Sequence, residues 1–176
     1  MGGIGIETRH LAFGAGLAAF AWGLSAHAAP SSSTAAPPRS AMAAHASGSF
    51  DVTLTPQGPE DKAEGSTLGR RSIEKRYHGD LDATSKGQML TGVSDVPGSA
   101  GYVAIERVTG TLKGRRGSFL LQHTGTMSKA SGYVLSVTVV PDSGAGELLG
   151  LSGKLDIKIV DGKHLYEFEY TLPEGR

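Results

Sequence analysis

From residue 48 onward, apolar side chains recur at every second position in short runs broken by glycine, which is the period of half-buried β-strands. The last two runs show it most plainly. Leu155, Ile157 and Ile159 alternate with Lys154, Asp156 and Lys158; His164, Tyr166, Phe168, Tyr170 and Leu172 alternate with Leu165, Glu167 and Glu169. Between them stands Asp161-Gly162, a pair that tolerates positive φ at both positions and so suits a two-residue type I′ turn. That turn sets Ile159 opposite His164, Ile157 opposite Tyr166, Leu155 opposite Phe168 and Lys154 opposite Glu169. A slip of one residue would carry every aromatic ring into water, so the register is firmly specified.

The same arithmetic applies to residues 101–125. Tyr102, Ala104, Glu106 and Val108 share a face with Phe119, Leu121 and His123, while Val103, Ile105, Arg107, Leu120, Gln122 and Thr124 take the reverse. A turn at Gly114-Arg115 places Glu106 opposite His123 and Val108 opposite Leu121. A turn at Arg115-Arg116 slides the pairing by two and leaves the faces unchanged. A three-residue loop or a bulge would break this parity. With parity kept, an acid and an imidazole point together toward the core.

Further alternating runs fall at 48–55 (Phe50, Val52, Leu54), 70–79 (Ile73, Tyr77), 80–93 (Met89, Leu90) and 133–140. That makes about eight strands with short connections and no helical period. The expected fold class is all-β: an eight-stranded antiparallel β-barrel, lipocalin-like in general architecture, whose interior is either filled or holds one small ligand. A β-sandwich is the alternative.

The chain ahead of this domain reads differently. Arg9 and His10 precede an uncharged apolar run at 11–24, and Ala26-His27-Ala28 supplies a small-x-small cleavage pattern, so residues 1–28 are expected to be a signal peptide. The run is short for a membrane span, which needs about 20 apolar residues. Residues 29–47 are rich in Ala, Ser and Pro and poor in large apolar side chains, the composition of a disordered tether. His45 is given no role there. A single barrel domain at 48–173 and a periplasmic or secreted location follow as expectations.

Composition narrows the partners. Glycine makes up 26 of 176 residues, about twice ordinary usage, and punctuates the strands. With Cys at 0, the fold rests on packing and ladder hydrogen bonds, and there is no thiol nucleophile. A formal net charge of +0 without basic runs argues against nucleic acid and against electrostatic membrane binding.

Three segments carry a family resemblance: KRYHGDLDATSKGQML (75–90), ERVTGTLKGRRGSFLLQHTG (106–125) and VVPDSGAGELLGLSG (139–153). Over 48–172 the chain resembles the bacterial domain-of-unknown-function family 3224. The resemblance implies an eight-stranded barrel similar to the allene oxide cyclase fold, and the SGxGELxGLxG loop is similar to that of plant allene oxide cyclases and dirigent proteins. It implies no settled activity, and a shared barrel does not transfer one.

The candidate site follows from the inward faces. Glu106 and His123, with Tyr102, Phe119, Tyr166 and Phe168, form the candidate ligand-binding set. Glu106 can act there as a general base or orient a ligand together with His123. Alternatively the two satisfy each other as buried polar groups must, and the aromatics are plain core. No catalytic residue is assigned. His78, His123 and His164 lie on three strands without paired metal-ligand spacing, so no metal and no cofactor is expected. The glycines of 144–150 fail as a nucleotide loop because no helix follows. They fit a bent connection whose Leu148, Leu149 and Leu151 cover a barrel end. The outer face (Val103, Ile105, Leu120) permits a homo-oligomer. The expected function is binding of a small apolar or amphipathic molecule. The alternatives are an isomerase or cyclase acting on an apolar substrate, and a packed structural barrel.

Overall fold

Alternation and turn chemistry together give an all-β molecule. The structure, a computed structural model, describes residues 43–173. In chain order its strands are β1 (Ala43–Pro56), β2 (Asp61–Ala63), β3 (Ser66–Gly79), β4 (Leu81–Ser94), β5 (Ala100–Leu112), β6 (Arg115–Ser128), β7 (Gly132–Val139), β8 (Ala145–Gly146), β9 (Ser152–Val160) and β10 (Lys163–Thr171). Eight of them close an antiparallel barrel in the order β1-β10-β9-β7-β6-β5-β4-β3 and back to β1. The short β2 and β8 lie outside the ring, on β3 and β6. β1 completes the closure by pairing along its first half with β10 and along its second half with β3. The narrowest seam is β7 against β9, where Thr138 faces Lys154.

The β9–β10 hairpin has the expected register throughout, and Asp161 and Gly162 both take positive φ, 50° and 77°. The β5–β6 hairpin keeps the expected faces with a different turn. Its turn residues are Lys113 and Gly114, with φ of 46° and 83°, so Glu106 faces Leu121 and Ala104 faces His123. The reason is the one that fixes Asp161-Gly162: a type I′ turn prefers glycine second, and Lys113-Gly114 offers that while the Arg pairs do not. Since the shift is two residues, parity survives. Glu106 and His123 both point inward, 1% and 2% exposed.

The signal segment and most of the expected tether lie outside the described residues. The domain boundary is corrected at one point: residues 43–47 belong to β1. Across the β1–β10 ladder, Ala44 faces Tyr170, Ala46 faces Phe168 and Gly48 faces Tyr166. Small inward side chains are what this ladder needs, because the aromatic rings opposite already fill the volume. His45 points outward and pairs with Glu167 at 2.7 Å.

One end of the barrel is solidly packed. Phe119 stacks on Phe168, Tyr77 meets Tyr166 edge-on, and Leu81, Leu112 and Leu155 fill the layer between. The Tyr166 hydroxyl accepts the Leu81 N–H at 2.9 Å. The 140–151 connection folds over this end with Leu148 and Leu151 buried. Leu149 departs from the expectation: it is 60% exposed, since Gly150 turns the chain so that only its neighbours face inward. The first residues of β1 and the last of β10 are at this closed end.

Candidate functional site

The other half of the barrel is hollow. A cavity of about 440 Å³ runs down from the open end. Every strand of the ring lines it: β1 through Phe50, Val52 and Leu54, β3 through Ile73 and Lys75, β4 through Met89, β5 through Tyr102. β6, β7, β9 and β10 continue the wall through His123 and Met127, Tyr133 and Leu135, Ile157 and Ile159, and His164. The rim stays apolar even in contact with water, with Leu54 42%, Tyr133 53% and Ile159 64% exposed. Exposed apolar side chains gathered around a cavity mouth mark a binding site more often than chance scatter does.

Polar chemistry is concentrated on the floor, around Glu106. Its Oε1 accepts hydrogen bonds from Lys75 Nζ (2.8 Å), Tyr77 OH (2.8 Å) and His123 Nε2 (3.0 Å). Its Oε2 accepts one from Ser85 Oγ at 2.7 Å. Lys75 also donates to Tyr77 OH at 3.3 Å and sits 4.7 Å over the Phe50 ring. Room for the carboxylate comes from Gly87, which lies directly opposite Glu106 on β4. A Cβ there would stand 2.6 Å from Glu106 Cα.

Burial alone would raise the Glu106 pKa, but the His123 hydrogen bond and the Lys75 charge outweigh it and hold the carboxyl down at about 2. Lys75 is pulled below its ordinary range by burial, with Glu106 opposing. Burial and the adjacent carboxylate push the Tyr77 phenol well up. The floor is therefore an ionised Lys75–Glu106 pair enclosed by the Tyr77, Ser85 and His123 donors. A carboxylate with four donors and so low a pKa is a poor proton acceptor, which argues against Glu106 as a general base. A second polar point lies higher in the lumen, where Tyr102 OH is 3.4 Å from Tyr133 OH. The Tyr102 ring lies flat over Gly125, where a Cβ would collide with it at 2.3 Å. Its phenol is pushed up by burial first and by Tyr133 second.

The six candidate residues from the sequence separate along the barrel axis. His123 and Tyr102 line the cavity. Glu106 lies beneath it, in contact with Lys75 and His123, which do line it. Phe119, Tyr166 and Phe168 are in the packed closed half, outside the cavity lining. Lys75, Tyr77 and Ser85 complete the Glu106 cluster. Of these, Tyr77 is visible in the sequence as an inward aromatic, whereas Lys75 and Ser85 are not singled out. The signal for Lys75 is its phase: it alternates in step with Ile73 and Tyr77 and is the one fully buried cation of that strand, Arg71 in the same phase being only half-buried. Ser85 is likewise in step with Leu81 and Ala83.

His164 stacks on Phe50 at 5.0 Å near the mouth, and His78 pairs with Asp51 on the outside at 3.2 Å. Among the described residues no cluster of three or more His, Asp or Glu side chains could hold a metal ion. Arg107 and Gln122 face outward, opposite Leu120 and Ile105 rather than each other, by the same two-residue slide.

A family model for proteins of unknown function, DUF3224, matches residues 46–170. The crystal structure of a DUF3224 protein of unknown function from Shewanella oneidensis MR-1 is similar at 46% sequence identity. The match covers 76% of this chain and 100% of that one, with a TM-score of 0.70. No curated protein matches this chain.

Proposed function

The chain belongs to the DUF3224 family, and from its own lumen we propose that it binds a small apolar molecule carrying one hydrogen-bonding group. One observation carries this reading: a cavity of about 440 Å³ with mostly apolar walls drawn from all eight ring strands and a few polar groups, chiefly His123 and Lys75 at the floor and the Tyr102–Tyr133 pair above them. Ligand sites of roughly 300–1,000 Å³ share this design, with broad apolar contact for affinity and a few polar atoms for orientation. The apolar part of the ligand lies against Ile73, Met89, Leu135 and Ile157, and its polar group meets His123 and Lys75 or the Tyr102–Tyr133 pair. A barrel serving only as a scaffold gains nothing from leaving half its interior unfilled, because such space forfeits dispersion contacts.

Native mass spectrometry of the purified protein, followed by organic extraction, tests the reading, together with thermal shifts from fatty acids, terpenoids and polyphenols. A carried molecule or a saturable shift supports it. A lumen that is empty in every preparation and responds to none of these compounds contradicts it.

Export is proposed on the N-terminal pattern of residues 1–28; amino-terminal sequencing of protein recovered from the producing cell should begin near Ala29. We also propose self-association through the outer faces of β4 and β5, where Leu90 faces Val103 and Ile105 lies diagonally beyond, all about half exposed. Leu120 drops out of that surface because the 140–143 segment half-covers it. Sedimentation of the mature protein reports this directly.

A further inference from the structure

One atom of the polar floor is left free by the network around Glu106. His123 directs Nε2 at Glu106 Oε1. Its Nδ1 has no hydrogen-bond partner among the described residues, and no fully buried side-chain nitrogen or oxygen there is unpaired. Nδ1 therefore keeps contact with the cavity that His123 lines. An ionised carboxylate only accepts, so Nε2 carries a proton, and in the neutral ring the lone pair is on Nδ1. A carboxylate behind an imidazole in this way fixes its tautomer and stabilises the imidazolium formed when the other nitrogen takes a proton. Lys75 Nζ, 2.8 Å from the same Oε1, adds a fixed positive charge beside the ring.

We propose that His123 Nδ1 is a general base in the lumen, and that the site moves a proton on an apolar carbonyl compound with an activated C–H bond. The inference rests on the ligand-binding reading above. In the step, the C–H bond next to the carbonyl breaks and its proton passes to Nδ1. The electron pair becomes an enolate stabilised by the Lys75 ammonium. Return of that proton to the same carbon, or to a conjugated one, completes a racemisation or a double-bond shift. No oxidant, reductant or water is consumed. Shape, an apolar wall and one oriented base are the whole apparatus.

Nitrobenzisoxazole is a suitable probe: a base removes its ring C–H proton, the N–O bond breaks, and the electron pair leaves as a coloured cyanophenolate. The wild-type protein should show saturable elimination above the buffer rate, and His123→Gln should lower kcat/KM by about 100-fold, within the range of general-base contributions. His78→Gln, which removes an exterior imidazole, should leave the rate unchanged. Probe occupancy is read separately by its displacement of a fluorescent anilinonaphthalene from the lumen. Displacement without turnover, or equal rates in the wild type and His123→Gln, overturns the proposal and leaves ligand binding standing. A dye that binds but is not displaced by the probe at any concentration overturns the proposal and leaves ligand binding standing; a dye that does not bind saturably at all removes both. If His123→Gln does not fold, the ring-nitrogen chemical shifts of the wild-type protein decide the matter. A protonated Nε2 with a bare Nδ1 that moves when the probe binds supports the base. A protonated Nδ1 overturns it.

Discussion

Lys75 Nζ lies 2.8 Å from Glu106 Oε1, and the two side chains are 3% and 0% exposed, so a full ion pair is buried in the floor of the barrel's cavity, with Lys75 on its lining. Taking both charges out of water is expensive. Four hydrogen bonds to the carboxylate and the Phe50 ring under the ammonium offset that cost.

Removing one partner strands the other. Lys75→Met or Glu106→Gln should each lower stability by about 3–5 kcal/mol, the usual loss when a buried pair is broken. The double variant should recover more than about 1 kcal/mol of the summed losses, because no charge is left unpaired. Urea unfolding of the four proteins gives the cycle; strictly additive losses would mean that the contact carries no coupling.

Acid should undo the same pair. The Glu106 pKa is depressed from 4.5 to about 2 in the folded state. The unfolded chain therefore takes up the proton first, so the contribution is complete above about pH 4.5 and is lost as pH falls toward 2. The shift corresponds to roughly 3 kcal/mol. Unfolding free energies measured from neutral pH downward should fall more steeply for the wild type than for Glu106→Gln over that window. Parallel curves would refute the assignment.

Leu135→Trp should fill the lumen. Leu135 lines the cavity wall from β7, and an indole there occupies space otherwise open to a ligand. Stability should change by less than about 1.5 kcal/mol, since the added volume enters a void. Binding of an apolar fluorophore should disappear, as a dye titration will show.

Leu148→Ala should do the opposite. Leu148 is 1% exposed and plugs the closed end. Its truncation should cost about 2–5 kcal/mol through the cavity it opens and leave dye binding at the other end intact. Thermal unfolding and the same titration separate the two effects.

Much of this was legible in the sequence, and the limit has a physical cause. Period-2 alternation says which side chains enter the barrel, and glycine-second turns say which strands meet. Glu106, His123 and the whole β9–β10 ladder follow from those two facts. Alternation does not give height along the axis. Phe119, Tyr166 and Phe168 share the inward sense of Tyr102, yet they lie in the packed half, because height depends on how eight strands stagger as they close. Lys75 does not stand out in the sequence because lysine is almost always solvated. A buried carboxylate demands a countercharge, however, and Lys75 is the cation set directly between the inward Ile73 and Tyr77. The Ala-rich start of β1 read as tether because small residues look unstructured until the aromatic rings of β10 are seen opposite them.

Met89 and Met127 both line the cavity, so their methyl groups report on it from inside. Labelling the methionine methyls and titrating the protein with terpenoids and fatty acids is the most direct trial of a ligand-holding lumen. The account predicts saturable shifts at Met89 and Met127 that vanish in Leu135→Trp. Methyl signals that stay fixed through every titration would contradict it.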